Sequence, residues 1–393
     1  MPDTPWMSAR EAADTLEISL PTLYAYVSRG LIRSEPDPVH PRQRRYAAAD
    51  VRGLLRKRER DPAEISRAAL DFGAPVLDSA LTLIEDGRFY YRGHDAVGLA
   101  ASSTLEAVAG LLWTGRLDDS VLDAAPDTVA LELALAQDLP PVEALQVALP
   151  LAGARDRGAW DPRPEGQIAA GARIVRLMVA TLTRDPQPGP IAPALARAWG
   201  DKGATDAIGA ALILAADHEI AASAFAARVV AGAGATPYPA VQAGLCALQG
   251  TRHGGLTARV EALLAEVATR GDAEAVLAER LRRGDPPSGF GHRLYPGGDP
   301  RGRELLTRVR AGWPQHTEAH ALAAAGQSLL GLAPTLDLGL AALSRAGGFP
   351  SHAALSLFAL GRMVGWIAHT LEAAPLGLIR PRARYVGVPA RRG

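Results

Sequence analysis

Cysteine is almost missing from this 393-residue chain. Cys246 stands alone, which excludes an intrachain disulfide framework and a multi-cysteine zinc site. Aromatic residues make up only 5 %, and runs of Val, Ile, Thr and aromatics with period two are nearly absent, so strand signals are scarce. Lysine is confined to Lys57 and Lys202; almost every other cation is arginine. Net charge is absent too, with 42 basic against 42 acidic residues. That balance excludes a globally basic nucleic-acid binder and an acidic solvating tail, while leaving room for a local basic patch. No apolar run approaches the roughly 18 residues of a membrane span; one of the longer runs, around Ala207 to Ala216, stops at Asp217. The opening Met1-Pro2-Asp3-Thr4-Pro5 has no basic region ahead of an apolar stretch. The expectation is a cytoplasmic protein with no membrane partner.

What is present is helical patterning. Ser103-Thr104-Leu105-Glu106 fits a capping box with Ser103 as N-cap, and Leu105, Val108, Ala109 and Leu112 follow at helical spacing until Gly115. Glu219 to Val230, closed by Gly232, and Leu355 to Glu372 are further helical runs. Arg155–Gly166 and Arg184–Pro193 are rich in Pro and Gly and read as loops. Cys246 sits in an apolar helix and is expected to be buried and inert. The body of the chain reads as all-α. Its length suits two or three domains, and the boundary is expected near Asp61-Pro62, giving units 1–61 and 62–393.

The first unit differs in character. Between Arg29 and Arg60 ten basic residues face four acidic ones. Ser8-Ala9-Arg10-Glu11 is a capping box opening a helix through Leu16. Pro21 suits the first turn of a second helix ending at Gly30. Pro36 to Pro41 makes a wing-like loop, and Ala47 to Arg58 a third helix. This segment resembles the winged helix-turn-helix of the MerR and excisionase type, over the runs SAREAADTLEISLPTLYAYVSRGLI and RRYAAADVRGLL. The resemblance implies DNA contact, with Thr22 and Tyr24 near bases or phosphates and Arg42, Arg44 and Arg45 on phosphates. Such units also serve as packing or dimerising modules.

Chemistry in the body starts from nine histidines. His218, His253 and His292 are thirty-five and thirty-nine residues apart, so they share no helix face and form no local metal motif. The glycines beside His253 and His292 let backbone approach a ligand. Asp299-Pro300-Arg301 follows closely. Arg362 interrupts an apolar helix, where a charge is costly unless a carboxylate or ligand pairs with it. Arg380 and Arg382 lie near the end, as ligands or as a solvated tail. Arginines with histidines suggest a small dianion held by bidentate pairs. His316 and His320 lack the glutamate of a zincin helix and read as a solvated face; His369 reads as structural. No P-loop, nucleophile elbow or complete dinucleotide fingerprint is present.

From about residue 75 to 390 the chain resembles citrate synthase. The blocks DGRFYYRGHD, ADHEIAASAFAARV, RHGGLTARV, GFGHRLYPGGDPR and LFALGRMVGWIAH, then RPRARYVG, fall in family order. The resemblance implies an all-α homodimer with a large domain and a smaller mobile one, roughly 256–345. It implies that acetyl-CoA, oxaloacetate and water give citrate and CoA, with acetyl-CoA as substrate and neither cofactor nor metal. His253 would hydrogen-bond the thioester carbonyl, Asp337 remove the methyl proton and His292 polarise the ketone. His218, Arg301 and Arg362 would bind oxaloacetate, with Arg380 reaching in from the partner subunit and Phe358 packed against the ligand. The Pro286–His292 loop, through Pro286, Gly289, Phe290 and Gly291, would cradle CoA.

The residue chemistry agrees. A thioester methyl is a very weak acid, so the enolate must be stabilised as it forms; one aimed donor supplies about 2.7–4 kcal/mol. Burial is expected to raise the Asp337 pKa, strengthening the base while it stays ionised. Three places depart from the family pattern: Thr251-Arg252 before the HGG block, Leu256-Thr257 after it, and Leu338 in place of an aromatic. Two alternatives stay open, a 2-methylcitrate synthase using propionyl-CoA and a DNA-binding regulator whose citrate-synthase-like domain senses a ligand.

Overall fold

The structure, a computed structural model, describes residues 6–16, 18–28, 31–38, 40, 43–59, 77–123, 138–186, 189–381, 383 and 387, the side chains of 53 and 55–59 excepted. The chain divides into two compact units, Met1–Asp78 and Ser79–Gly393. The boundary expected at Asp61-Pro62 lies outside the described residues.

The first unit runs β1 (Trp6–Ser8), α1 (Ala9–Thr15), α2 (Leu20–Ser28), β2 (Ser34–Pro36), β3 (Arg44–Ala47) and α3 (Ala48–Glu59). The Ser8 box forms as expected: the Glu11 N–H donates to Ser8 Oγ at 3.2 Å and the Ser8 N–H to the Glu11 carboxylate at 2.8 Å. The strands make one antiparallel sheet in the order β1-β3-β2, with Met7 opposite Tyr46 and Glu35 opposite Arg45. Ala12, Leu16, Leu23, Ile32, Tyr46 and Val51 close a small core beneath the helices. Gly30 and Arg42 lie outside the described residues.

The second unit opens with a sheet that the scarcity of strand signals concealed: β4 (Thr82–Glu85), β5 (Arg88–Tyr91) and β6 (His94–Asp95), antiparallel in that order. Its two turns, Asp86-Gly87 and Arg92-Gly93, have positive φ at both central residues (51° and 74°, 45° and 86°), the signature of tight primed hairpins. The rest is helical: α4 (Ala96–Ser102), α5 (Leu105–Thr114), α6 (Pro141–Arg155), α7 (Pro164–Thr183), α8 (Ile191–Ala198), α9 (Thr205–Ala215), α10 (Ala222–Gly232) and α11 (Pro237–Leu248). Then come α12 (Thr257–Arg270), α13 (Ala273–Arg282), α14 (Pro300–Gly312), α15 (Glu318–Leu330), α16 (Leu336–Ala346) and α17 (Ala353–Ala373). The segment expected as the smaller domain thus spans α12 to α16.

Helix α17 is buried along nearly its whole length. With the turn after it, Ala353–Leu376 is long and apolar enough to cross a membrane by composition alone, contrary to the sequence expectation, but 89 % of its most apolar window is buried inside the fold. Gly361 and Gly365 let it press against α9 and the turn beyond. A Cβ at Gly361 would lie 2.5 Å from the Leu212 carbonyl oxygen, and one at Gly365 2.3 Å from that of Ala216.

Three local expectations are corrected. The cap of α5 is Thr104, not Ser103; its side chain accepts from the Ala107 N–H. Glu106 does not turn back to the cap, but accepts from the Ile191 N–H at 2.8 Å, capping α8. Cys246 is exposed: α11 buries Val241, Gly244, Leu245 and Leu248, and helical spacing turns residue 246 away from that face.

Candidate active site

The candidate residues stand on α17 and on short loops and helix ends around it. His218 follows α9 and is 6 % exposed. Its Nε2 lies 2.8 Å from the Tyr295 hydroxyl, and its ring meets His292 edge-on at 5.1 Å. Tyr295 also packs against the His292 ring at 5.1 Å and under the Arg301 guanidinium at 5.5 Å. The Leu294 N–H donates to His292 Nδ1 at 3.2 Å. That nitrogen therefore carries no proton when the ring is neutral, and Nε2–H is the free donor.

Arg301 is the second residue of α14, after Asp299 as N-cap and Pro300 at the first position. Asp299 accepts twice from the Arg301 side chain, at 2.9 and 2.8 Å, and from the Leu336 N–H at 3.1 Å. One buried carboxylate thus joins the starts of α14 and α16, and Asp337 is the next residue. The Gly289–Gly291 backbone pairs with the same approach to α16: Gly291 N–H donates to Ala333 at 2.9 Å and Thr335 N–H to Gly289 at 2.9 Å. Gly289 and Gly291 have φ of 89° and 71°, a conformation that glycine adopts without cost. The loop carrying His292 and the helix carrying Asp337 are therefore held in register by main-chain bonds.

On the other side, His253 Nε2 lies 2.8 Å from the Ser223 hydroxyl, and its ring meets Phe358 edge-on at 5.8 Å. Phe358 and Arg362 are four apart on α17, with the guanidinium 5.0 Å from the ring centroid. Arg362 Nε donates to the Ala215 carbonyl at 2.7 Å. Arg362 Nη2 and Asp337 Oδ1 are both shielded from solvent and have no hydrogen-bond partner; Asp337 Oδ2 accepts from the Thr335 hydroxyl at 3.3 Å.

Burial dominates the electrostatics. It pushes His253 and His292 down to about 4, helped by Arg362 and Arg301 respectively, and His218 well below the ordinary imidazole range, with Arg301 adding to it. All three rings are neutral at pH 7. Burial lifts Asp337 to about 6. It lowers Arg362 to about 10 despite Asp217. At Arg301 burial works the same way, but Asp299 outweighs it and the pKa is raised. The arrangement is two buried guanidiniums, only one of them ion-paired at close range, with three neutral imidazoles and one carboxylate able to take a proton near neutrality. Among the described residues, no three His, Cys, Asp or Glu side chains gather as a metal site needs.

A separate cavity of about 470 Å³ lies between α12 and α13, lined by Ala258, Arg259, Leu277, Arg280 and, from the following loop, Pro286 and Ser288. Phe290 points away from it into the core, against Gly326. Arg380 is exposed beyond α17. Tyr295, Asp299, Ser223 and Thr335 belong to the arrangement although the sequence reading assigned them no role. For Asp299 the N-cap–Pro–Arg order was a usable signal; for Ser223 none was. His316 and His320 are partly buried rather than solvated, the first 3.4 Å from Glu318 and the second 3.1 Å from the Leu306 carbonyl.

The family model described as citrate synthase, C-terminal domain, matches residues 69–382. The chain belongs to the citrate synthase family. It is 30 % identical over 363 residues to citrate synthase 2 of Bacillus subtilis, covering 80 % of this chain and 94 % of that relative. It is 31 % identical over 339 residues to a 2-methylcitrate synthase of Mycobacterium tuberculosis, covering 76 % of this chain and 84 % of the other. Among solved structures, the ternary complex of carboxymethyl coenzyme A and oxaloacetate with citrate synthase from Thermoplasma acidophilum superposes with a TM-score of 0.71 at 25 % identity, covering 81 % of this chain and 96 % of that one. The first residues of the family match fall within the N-terminal unit, and the remainder cover the helical body.

The raised Asp337 pKa carries a stability consequence. A carboxyl raised from 3.8 to about 6 favours the folded state fully below pH 4, and that advantage is lost as pH rises through 6. At roughly 1.36 kcal/mol per unit the swing is about 3 kcal/mol. Asp337→Asn, which cannot ionise, should therefore gain on the parent protein by roughly that amount between pH 4 and pH 7.5, as read by denaturant unfolding at each pH. A difference that stays flat across the range would show that burial does not raise the Asp337 pKa.

Proposed function

We propose that this member of the family condenses acetyl-CoA with oxaloacetate and water to give citrate and CoA. The observation that carries the reading is the pair of unpartnered buried atoms, Arg362 Nη2 and Asp337 Oδ1. One is a donor on a cation and the other an acceptor on a base. A buried orphan of either kind costs about 1–3 kcal/mol or more; an oxaloacetate carboxylate would pair with the guanidinium N–H, and the free carboxylate oxygen is left to take a proton from a thioester methyl placed beside it.

In this reading Asp337 removes a methyl proton. His253, accepting from Ser223 at Nε2, donates from Nδ1 to the developing enolate oxygen, and no charged imidazolium is required. His292 donates from Nε2 to the ketone oxygen, which takes up the electron pair as the enolate carbon bonds to the ketone carbon and is protonated to the hydroxyl of citryl-CoA, Asp337 giving up its proton to restore the base. Water then cleaves the thioester, releasing citrate and CoA. His218, Arg301 and Arg362 hold the dicarboxylate against Phe358, and closure of the 256–345 segment excludes water until condensation is complete. The cavity at Pro286 and Ser288, with Arg259 and Arg280 on its rim, suits the CoA nucleotide. The enzyme would act as a homodimer in which Arg380 completes the site of the partner subunit. Thr257, whose hydroxyl donates to the Gly254 carbonyl at 2.8 Å, and buried Leu338 border the acyl group. A methylene is worth only about 1–3 kcal/mol there, and propionyl-CoA is the runner-up substrate.

Thiol release should need oxaloacetate, and Asp337→Asn should lower it by at least about a hundredfold, the scale of positioned proton transfer. The ratio of acetyl-CoA to propionyl-CoA turnover names the acyl group. No release from folded protein with either thioester would overturn the enzyme and favour a ligand-sensing domain.

For the first unit we propose a winged helix-turn-helix that contacts DNA. Tyr24 on α2 is 51 % exposed and Thr22 is on the same helix. The β2–β3 hairpin supplies the wing, although Arg44 is tied to Ser34 and Arg45 to Glu35. Fluorescence anisotropy with a labelled duplex should show affinity falling steeply as salt rises, and weaker binding for Tyr24→Ala. Absence of binding at low salt would contradict it.

A further inference from the structure

A polar chain crosses the buried core beneath His218. Arg228, on α10, places Nη1 3.1 Å from Nδ1 of His369, on α17; both side chains are fully buried. A guanidinium can only donate, so Nδ1 is the acceptor and the imidazole's proton sits on Nε2. That N–H points at two acceptors, Asp217 Oδ1 at 3.1 Å and the Glu219 carbonyl at 3.2 Å. Glu372 accepts from Arg228 and, at 2.7 Å, from the Ala80 N–H, which anchors the far end.

The two acceptors flank His218. Asp217 is gripped further by the Thr82 hydroxyl at 2.5 Å, and its N–H donates to the Tyr91 hydroxyl at 3.1 Å. Glu219 has a φ of 51°, a conformation that favours glycine and persists in another residue only when its surroundings enforce it. Gly365, one turn before His369 on α17, brings the helix backbone against this turn, where a Cβ would lie 2.7 Å from Asp217 Oδ1. One ring N–H thus closes a strained three-residue turn from both sides, and the residue inside the turn is the one aimed at Tyr295 and His292.

We propose that His369 is a positioning residue for His218: its Nε2–H fixes the turn that presents the His218 imidazole to oxaloacetate. The proposal rests on the reading that His218 binds that ligand. A histidine that merely fills space could be replaced by an apolar side chain without loss of ligand affinity. One that supplies a donor to a buried carboxylate could not. Glutamine places an amide N–H close to where Nε2 stands, whereas asparagine is too short to reach Asp217.

The test is oxaloacetate binding by calorimetry, with KM for each substrate, on the full chain and its His369→Leu, His369→Gln and His369→Asn variants. His369→Leu should weaken oxaloacetate binding about tenfold or more, the scale of a lost hydrogen bond to a charged group, leaving the KM for the thioester within about twofold. His369→Gln should recover most of the affinity. Equal affinity in folded His369→Leu and the parent overturns the proposal, as does a loss that glutamine fails to rescue. If His369→Leu does not fold, the contrast between glutamine and asparagine decides: tighter binding by glutamine supports the proposal, and equal binding overturns it. Failure of the parent protein to bind oxaloacetate would instead refute the underlying reading of the site.

Discussion

A guanidinium buried in the middle of an apolar helix is the constraint on which the rest depends. Arg362 is 1 % exposed, has a carbonyl on Nε and nothing on Nη2, and its charge is disfavoured enough to bring its pKa to about 10. Desolvating a cation is expensive, and breaking buried pairs leaves penalties of several kcal/mol. The fold tolerates Arg362 through the charge of nearby Asp217, the Ala215 carbonyl, the Phe358 face and imidazoles kept uncharged by the same burial. Positive potential at this point suits a dicarboxylate, and it also restrains the neighbouring histidines from becoming cations that would compete for it.

Arg301 provides the contrast. It has its own carboxylate, Asp299, so its charge is offset before any ligand arrives. Asp299 also caps α14 and binds the first N–H of α16, so the ion pair serves geometry as much as charge. The main-chain pairing of Gly289 and Gly291 with Ala333 and Thr335 adds a second tie between the His292 loop and Asp337. Acid–base groups on separate segments are thereby held to one frame, which is what proximity effects require. The small β4–β6 sheet has the matching role for His218, because Thr82 and Tyr91 hold the residue before it.

Much of this was legible in residue order. The Ser8 capping box, the glycines around His292 and the Asp299-Pro300-Arg301 sequence each state a local geometry that the structure contains. Other features were hidden because they depend on contacts distant in sequence. Thr104 rather than Ser103 caps α5, and Glu106 is recruited by α8, 85 residues away. The β4–β6 strands are too short to show alternation. Exposure of Cys246 follows from which face of α11 meets the core, which its own apolar composition does not specify. Tyr295, the ring that touches His218, His292 and Arg301 together, lies in a loop with no periodicity to single it out.

The most direct test of the central claim is a calorimetric titration of oxaloacetate into the parent protein and Arg362→Gln. The account predicts one site per chain and an affinity lower in the variant by about a hundredfold, within the 2–5 kcal/mol range for removing one partner of a buried charged contact. Equal affinity in the two folded proteins would contradict it, since the unpartnered charge would then have no part in holding the ligand.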